Sequence, residues 1–395
     1  MTDPLGQSQV IPYLQGLHER GHQVWILSCE KPERFKIHEQ SIKKLLKDSG
    51  ISWIPEFYTA KPPVLSTLKD IRNLKNRAET IIKEQNIDVL HCRSYISALV
   101  GEAMKKKYGL PWIFDMRGFW ADERVDGGLW NLSNPLFKMV YKYFKRKEKD
   151  FLKDAVHVIS LTENAKAEIN SWMGFEKVPI EVVPCCADLE LFSRNSIQTE
   201  AIKQKRMQLS ISDDAFVISY LGSLGTWYML EEMLDFFKLL KLDFPQAVFL
   251  FITGDSKESI TQVASSKGID TESLRIISAQ RAEVPLLASI SDVSIFFIKP
   301  VFSKKASSPT KMGELMSLGI PIICNSGVGD VASILEDGGN GVLISEFTTE
   351  AYLQAIGELP DVMKKSPQLN IACASAYYAL SDGVKKYASV YDRIV

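Results

Sequence analysis

Short apolar runs alternate with amphipathic stretches along almost the whole of this chain, and few folds accept that pattern. Residues 23–28, 88–92, 111–115, 156–160 and 180–184 read as strands. Between them, residues 7–20, 65–84, 95–108 and 135–153 read as helices. In the first helix Val10, Ile11, Leu14 and Leu17 share one side, and Gly21 ends the run. A polar stretch at 188–214 breaks the series. A second series follows, with strands at 216–221, 247–253, 274–278, 293–298, 321–324 and 341–344 and a helix at 230–242. Strands separated by helices pair in parallel through crossovers. The pattern implies an α/β chain of two doubly wound, Rossmann-like domains. The expected division is residues 1–190, residues 191–371, and a helix at 372–395 that returns to the first domain. Tyr377, Tyr378, Tyr387 and Tyr391 would make its contacts there.

A length of 395 residues fits two domains rather than one, and 46% hydrophobic residues are enough to fill two cores. The net charge of −1 gives no electrostatic footprint for nucleic acid. Charges interrupt every apolar run before it reaches membrane-spanning length. The first residues lack a basic-then-apolar signal pattern. The six cysteines are scattered, and the adjacent Cys185 and Cys186 have no second Cys or His pair at zinc spacing. Buried thiols in a reducing, cytoplasmic setting and no bound metal are therefore expected. No strand is followed by Gly-x-Gly-x-x-Gly, which sets a nicotinamide dehydrogenase aside.

A doubly wound domain opens with a central strand, then a glycine-bearing turn and a helix. Here Thr2-Asp3-Pro4-Leu5-Gly6 reads as the turn itself, without the strand. Three explanations are open: a translation start placed too late, a shortened chain, or another strand in the gap. The first is favoured.

The segment from Ser308 to Ile323 carries the strongest chemical signal. Lys311 and Glu314 are three residues apart and share a helix face. Pro309 suits the first turn, Ser308 is a possible cap, and Gly319 ends the helix. A lysine at a helix N-terminus suits a diphosphate, and a glutamate one turn on suits sugar hydroxyls. The alternative is an ordinary helix-strand unit with two solvated charges.

Several segments together resemble the family 4 glycosyltransferases. Gly6-Gln7-Ser8-Gln9-Val10-Ile11-Pro12-Tyr13-Leu14, with Gly16-Leu17 and Arg20-Gly21-His22, is similar to the family's first loop and helix. Val183-Pro184-Cys185-Cys186-Ala187-Asp188 with Phe192 is similar to its interdomain segment, usually Pro-Asn-Gly-Val-Asp before a Phe. Tyr220-Leu221-Gly222-Ser223-Leu224 resembles the opening of its donor domain, and Pro309, Lys311, Glu314, Met316, Gly319 and Pro321 resemble its donor helix. The resemblance spans essentially the whole chain. Two features depart from it. Ala306 stands where the first of two donor-site glutamates would fall, and the loop Gly225-Thr226-Trp227-Tyr228-Met229 lacks the usual basic residue.

The resemblance implies the GT-B fold, two Rossmann-like domains facing a cleft, and transfer of a sugar from a nucleotide-diphosphate sugar with retention at the anomeric carbon. The acceptor would be a glycan or a lipid-linked molecule, in cell-surface polysaccharide synthesis. No metal is implied, since cations, backbone N–H groups and helix ends would stabilise the departing diphosphate. In the donor site Lys311 would neutralise the phosphates, and Glu314 would accept from the ribose. Gly6 would let the backbone approach the donor, Gly222 and Ser223 would line the phosphate side, and Gly327 and Gly329 would lie beside the sugar or diphosphate. Gly6 and Gly222 could equally end a strand or shape a turn.

The run Asp115 to Glu123 follows a strand, and α/β sites are built at strand C-terminal ends. Asp115 would act on the acceptor hydroxyl or orient it, and Arg117 would face the donor phosphates or sugar. The alternative is an Asp–Arg pair that shapes the loop. Arg93 and Trp120 are further acceptor-side candidates, and His91 reads as a strand residue. Lys138, Lys142, Lys145, Arg146, Lys147 and Lys149 lie among Phe137, Tyr141, Tyr143, Phe144 and Phe151. This helix could rest on an anionic bilayer, or be a solvated basic face over core-facing aromatics. Two rival functions are a non-catalytic nucleotide-sugar-binding subunit and a GT-B-fold sugar-nucleotide epimerase.

Overall fold

The computed structural model describes residues 1–62 and 64–394. The chain divides into two compact units, Met1–Cys185 with Leu380–Val395, and Cys186–Ala379. The crossings thus fall at 185/186 and 379/380, not at 190/191 and 371/372. Residues 368–391 are two helices, Gln368–Tyr378 and Leu380–Tyr391, separated by an extended Ala379. Only the second belongs to the first unit; Tyr377 and Tyr378 stay with the other. Ala187 N–H donates to Tyr378 O at 2.9 Å, so the crossings lie side by side.

In the first unit β1 (Trp25–Glu30) and β2 (Ser52–Phe57) form a parallel pair. A separate four-stranded sheet has the order β3 (Leu90–Arg93), β4 (Trp112–Asp115), β5 (His157–Ser160), β6 (Ile180–Val182), all parallel. No strand among the described residues joins β1 to β3. Of the three explanations for the missing first strand, one filled by another strand is not what the fold shows. Met1 and Thr2 instead close on Glu30 at the end of β1: the terminal ammonium pairs with its carboxylate, and Thr2 N–H donates to Oε2 at 2.9 Å. β4 and β5 are buried on both faces, which explains their unbroken apolar runs. The helix Leu380–Tyr391 lies against the helix Ile11–His18, and a Cβ on Gly16 would stand 2.7 Å from Val384.

The second unit has one six-stranded parallel sheet. Its strands are β7 (Val217–Leu221), β8 (Val248–Ile252), β9 (Leu274–Ile277), β10 (Val293–Phe296), β11 (Ile322–Asn325) and β12 (Gly341–Ile344), in the order β12-β11-β10-β7-β8-β9. The chain moves outward from β7 through β9, then returns to β10 on the other side. That makes β7/β10 the topological switch point, where doubly wound sheets bind ligands beyond the strand C-termini. The helix Thr310–Ser317 connects β10 to β11. Gly319 ends it with φ +72, and Ile320 N–H reaches back to Leu315 O at 3.2 Å. Pro309 itself occupies the capping position with no side-chain cap bond, so Ser308 is not the cap.

Candidate functional site

In the second unit, the sequence-singled residues gather at the switch point. β7 delivers Tyr220 and then Gly222, whose φ of +102 suits glycine. Lys311 sits in the first turn of Thr310–Ser317 but is only 9% exposed. Its Nζ donates to the Tyr220 hydroxyl at 3.0 Å and lies 3.6 Å from the Tyr228 ring centroid and 4.1 Å from that of Tyr220. A Cβ on Gly222 would stand 3.2 Å from that nitrogen. Burial pushes the Lys311 amine well below its usual pKa, and the charges of Glu314 and Asp255 offset this only in part. Glu314 is 7% exposed and accepts from Arg281 Nη1 at 3.0 Å. Burial raises its pKa, opposed by Arg281 and Lys311. Neither charge is a solvated surface group.

Ser223 is held differently from expectation. Its hydroxyl donates to Asp255 Oδ1 at 3.2 Å, and Leu224 N–H donates to Oδ2 at 2.6 Å. Asp255, just beyond β8, therefore pins the glycine loop. Gly327 and Gly329 follow β11 with φ +80 and +42. That loop is anchored by Asn325, which accepts from Ile298 N–H at 2.8 Å and donates to Ile298 O at 2.9 Å. Ala306 is buried in the turn Phe302–Ala306, where no carboxylate replaces the missing glutamate. In the same turn Lys304 Nζ lies 3.6 Å from the Trp227 ring centroid, so a cation does accompany the loop that lacks one in sequence.

In the first unit, Asp115 ends β4 opposite Arg93 of β3. It is 1% exposed and is a hub. Its Oδ2 lies 3.4 Å from His91 Nε2 and accepts from Arg93 Nη1 at 3.2 Å and the Tyr387 hydroxyl at 3.2 Å. Its Oδ1 has no hydrogen-bond partner among the described residues and faces Arg117 Nη1 at 3.8 Å. Burial alone would raise the Asp115 pKa, but Arg117, His91 and Arg93 outweigh it and hold the carboxylate well below its usual range. Such a group is a poor proton acceptor. His91, read as a mere strand residue, joins the network: its Nδ1 lies 2.6 Å from the Tyr391 hydroxyl. Arg117 has a left-handed backbone, φ +55, and its Nη2 donates to Cys185 Sγ at 3.1 Å. Its charge is secured against burial by Cys185 and Asp115.

Gly6 and Trp120 are closely packed. A Cβ on Gly6 would fall 2.7 Å from Met1 Cα. Trp120 stacks on Tyr95 at 5.7 Å, meets Phe144 at 4.9 Å, and carries Arg124 5.0 Å from its centroid. Sequence reasoning missed Asp255, Arg281 and Asn325. Each follows or ends a strand of the second sheet, and that position is the one signal that could have found them.

Two Rossmann-like parallel-sheet units of this kind are the architecture of GT-B glycosyltransferases. The first unit's sequence matches the model of Glycosyltransferase Family 4 over residues 8–191, and the second matches Glycosyl transferases group 1 over residues 201–368. The chain belongs to the family 4 glycosyltransferases. It is 22% identical over 305 residues to the D-inositol 3-phosphate glycosyltransferase of Thermomonospora curvata, covering 74% of this chain and 68% of that protein. Among solved structures it is similar to a glycosyltransferase from Rickettsia africae, with TM-score 0.70 and 17% identity over 99% of this chain and 96% of that one. It is equally similar to Anabaena Alr3699/HepE, solved in complex with UDP and glucose, with TM-score 0.70 and 15% identity over 99% and 97% of the two chains.

Proposed function

We propose that this protein is a retaining glycosyltransferase that moves a sugar, hexosyl in the simplest case, from a nucleotide-diphosphate sugar to a glycan or lipid-linked acceptor in cell-surface polysaccharide synthesis. The observation that carries the reading is the buried Lys311 between Tyr220 and Tyr228, beside Gly222 at the switch point. A buried amine aimed at a glycine loop suits a diphosphate. The UDP-glucose complex of HepE supports a nucleotide-sugar donor. In this reading Lys311 meets the phosphates, Glu314 the ribose, and the loop of Gly327 and Gly329 the sugar side. Cations and loop amides replace a metal as the stabilisers of the leaving diphosphate. In the first unit Asp115 is the residue proposed to act on or orient the acceptor hydroxyl, with Arg117 beside it at 3.8 Å. A thermal-shift screen of UDP-, GDP- and ADP-sugars tests it. Stabilisation by one nucleotide series is expected, and none by any would count against the reading.

Ala306 favours a second reading, a nucleotide-sugar-binding subunit without transfer activity. Nucleotide-sugar binding without release of nucleoside diphosphate, given a range of acceptors, would select it.

The setting proposed is the cytoplasmic face of an anionic membrane. Among the described residues no helix is long and apolar enough to cross a bilayer. The helix Pro135–Asp154 has a buried side with Phe144, Glu148 and Phe151, but Leu136, Met139 and Tyr143 are exposed on the opposite side. Exposed Lys138, Lys142, Arg146 and Lys149 flank them. Lys145 and Lys147 instead pair with Asp122 and Glu102, both at N–O distances under 3 Å. An exposed apolar stripe bordered by cations suits anionic lipid. Flotation with phosphatidylglycerol vesicles should retain the protein. Loss of retention on replacing those four cations supports the membrane contact, and unchanged retention sinks it.

A further inference from the structure

Glu314 is buried, yet it is the group to which the ribose contact falls. An ionised carboxylate only accepts, whereas a protonated one turns one oxygen into a donor and keeps less acceptor capacity for two hydroxyls. Burial works against ionisation. A charged partner offsets that cost, and among the described residues Glu314 has one hydrogen-bonded ion-pair partner.

Arg281 follows β9, in the turn Arg281–Glu283, and its Nη1 donates to Glu314 Oε1 at 3.0 Å. The bond leaves Oε2 outside the pair. The arginine is itself held. Its guanidinium carbon lies 5.4 Å from the ring centroid of the fully buried Phe192. Its turn is fixed by Glu283 N–H donating to Gln280 O and Gln280 N–H donating to Glu283 Oε2, both at 2.9 Å. Arg281 remains half-exposed, so it reaches the buried carboxylate from the solvent side.

We propose that Arg281 is a positioning residue for the ribose of a nucleoside diphosphate, holding Glu314 ionised and turned so that its free oxygen accepts from the ribose hydroxyls. The inference rests on the assignment of Glu314 to the ribose. The charges that bear on Glu314 are Arg281 and Lys311, which favour ionisation, and Asp188, which opposes it. The helix Gln368–Tyr378, packed against the helix of Glu314, has no charged residue. Lys311 is a weak substitute, because its Nζ donates to the Tyr220 hydroxyl and makes no hydrogen bond to Glu314 among the described residues. Without Arg281 the largest charge opposing burial is lost, so the protonated form of Glu314 is favoured further, and a protonated oxygen donates where the carboxylate accepted.

The test uses the full chain, UDP, GDP and ADP, and the 2′,3′-dideoxy form of each, with affinities read by calorimetry. The parent should prefer the ribo form of its nucleotide by roughly tenfold to hundredfold, the usual worth of a hydrogen bond to a charged group. In Arg281→Gln that preference should collapse to about twofold or less, with affinity for the dideoxy form unchanged. The variant's preference should climb with rising pH as Glu314 deprotonates, and more steeply than the parent's. Arg281→Lys should retain part of the preference. A merely structural arginine would lower stability or weaken both forms equally, and that result overturns the proposal. So does full ribose preference in Arg281→Gln. If the parent itself shows no ribose preference, the role of Glu314 falls and the proposal with it, a failure distinguishable because it appears before any substitution. Binding of the dideoxy form by Arg281→Gln reports that the variant is folded.

Discussion

Replacing Lys311 by methionine separates what this residue does for binding from what it costs the fold. Its Nζ makes one side-chain hydrogen bond, to the Tyr220 hydroxyl at 3.0 Å, and lies between two tyrosine rings. Tyr220 does not depend on it, because its own O–H donates to Ser223 O at 2.7 Å. The lost hydrogen bond is worth about 1 kcal/mol. Methionine has similar length, fills irregular space, and removes a desolvation cost of up to several kcal/mol. Stability should hold or rise, by about 2–4 °C in melting temperature for each kcal/mol gained. Nucleoside-diphosphate affinity should fall by roughly tenfold to hundredfold through loss of the charge-assisted bond. The pH dependence has a definite sign. Lys311 has a folded pKa below its unfolded one. Its penalty is therefore absent above about pH 10.4 and grows as pH falls towards the folded value. The stability advantage of Lys311→Met should thus shrink towards alkaline pH. Scanning fluorimetry across pH and calorimetry with nucleotides read both effects. Unchanged nucleotide affinity together with a lower melting temperature would refute the reasoning.

Asp115→Asn should destabilise the first unit by about 3 kcal/mol, since it leaves Arg93 and Arg117 facing a neutral group; transfer should be lost with nucleotide affinity intact, and near-normal turnover would remove Asp115 from the mechanism. Because the Asp115 pKa is lowered on folding, its stabilisation is present above about pH 4 and lost as pH falls towards the folded value. Acid unfolding followed by circular dichroism should show parent and Asp115→Asn converging below about pH 4. Gly313→Ala would place a Cβ 2.5 Å from Tyr378 Cγ, at the contact between the donor helix and the helix Gln368–Tyr378. A loss of about 1–3 kcal/mol by urea unfolding is expected. Gly222→Ala combines φ +102 with a Cβ 3.2 Å from Lys311 Nζ, so weaker nucleotide binding should accompany a loss of about 1–2 kcal/mol.

The second unit was legible because its four central strands, β7, β8, β10 and β11, are buried on both faces and read as unbroken apolar runs. The unit Pro32–Asp48 and β2 left no comparable mark. β2 is half-exposed, interrupted by Pro55, and does not alternate. The break at Ala379 involves neither glycine nor proline, which hid the exchange of units there. Lys311 and Glu314 stood out because they share one helix, whereas Arg281 lies 33 residues from Glu314 and arrives through sheet topology. Tyr387 reaches Asp115 across 272 residues. No local pattern encodes such a meeting. The His91 and Asp115 network was illegible for a related reason: Asp115 meets groups from β3, the loop after β4 and the last helix.

The central claim is that the protein cleaves a nucleotide sugar at the anomeric carbon and passes the sugar on. The most direct measurement incubates the pure full-length protein with UDP-, GDP- and ADP-sugars, with and without glycan or lipid-linked acceptors, and follows every product by NMR. Release of nucleoside diphosphate from one donor, with the α or β configuration of the sugar kept, is the predicted result. Conversion of the nucleotide sugar into its epimer without acceptor, or binding with no diphosphate released, would contradict it.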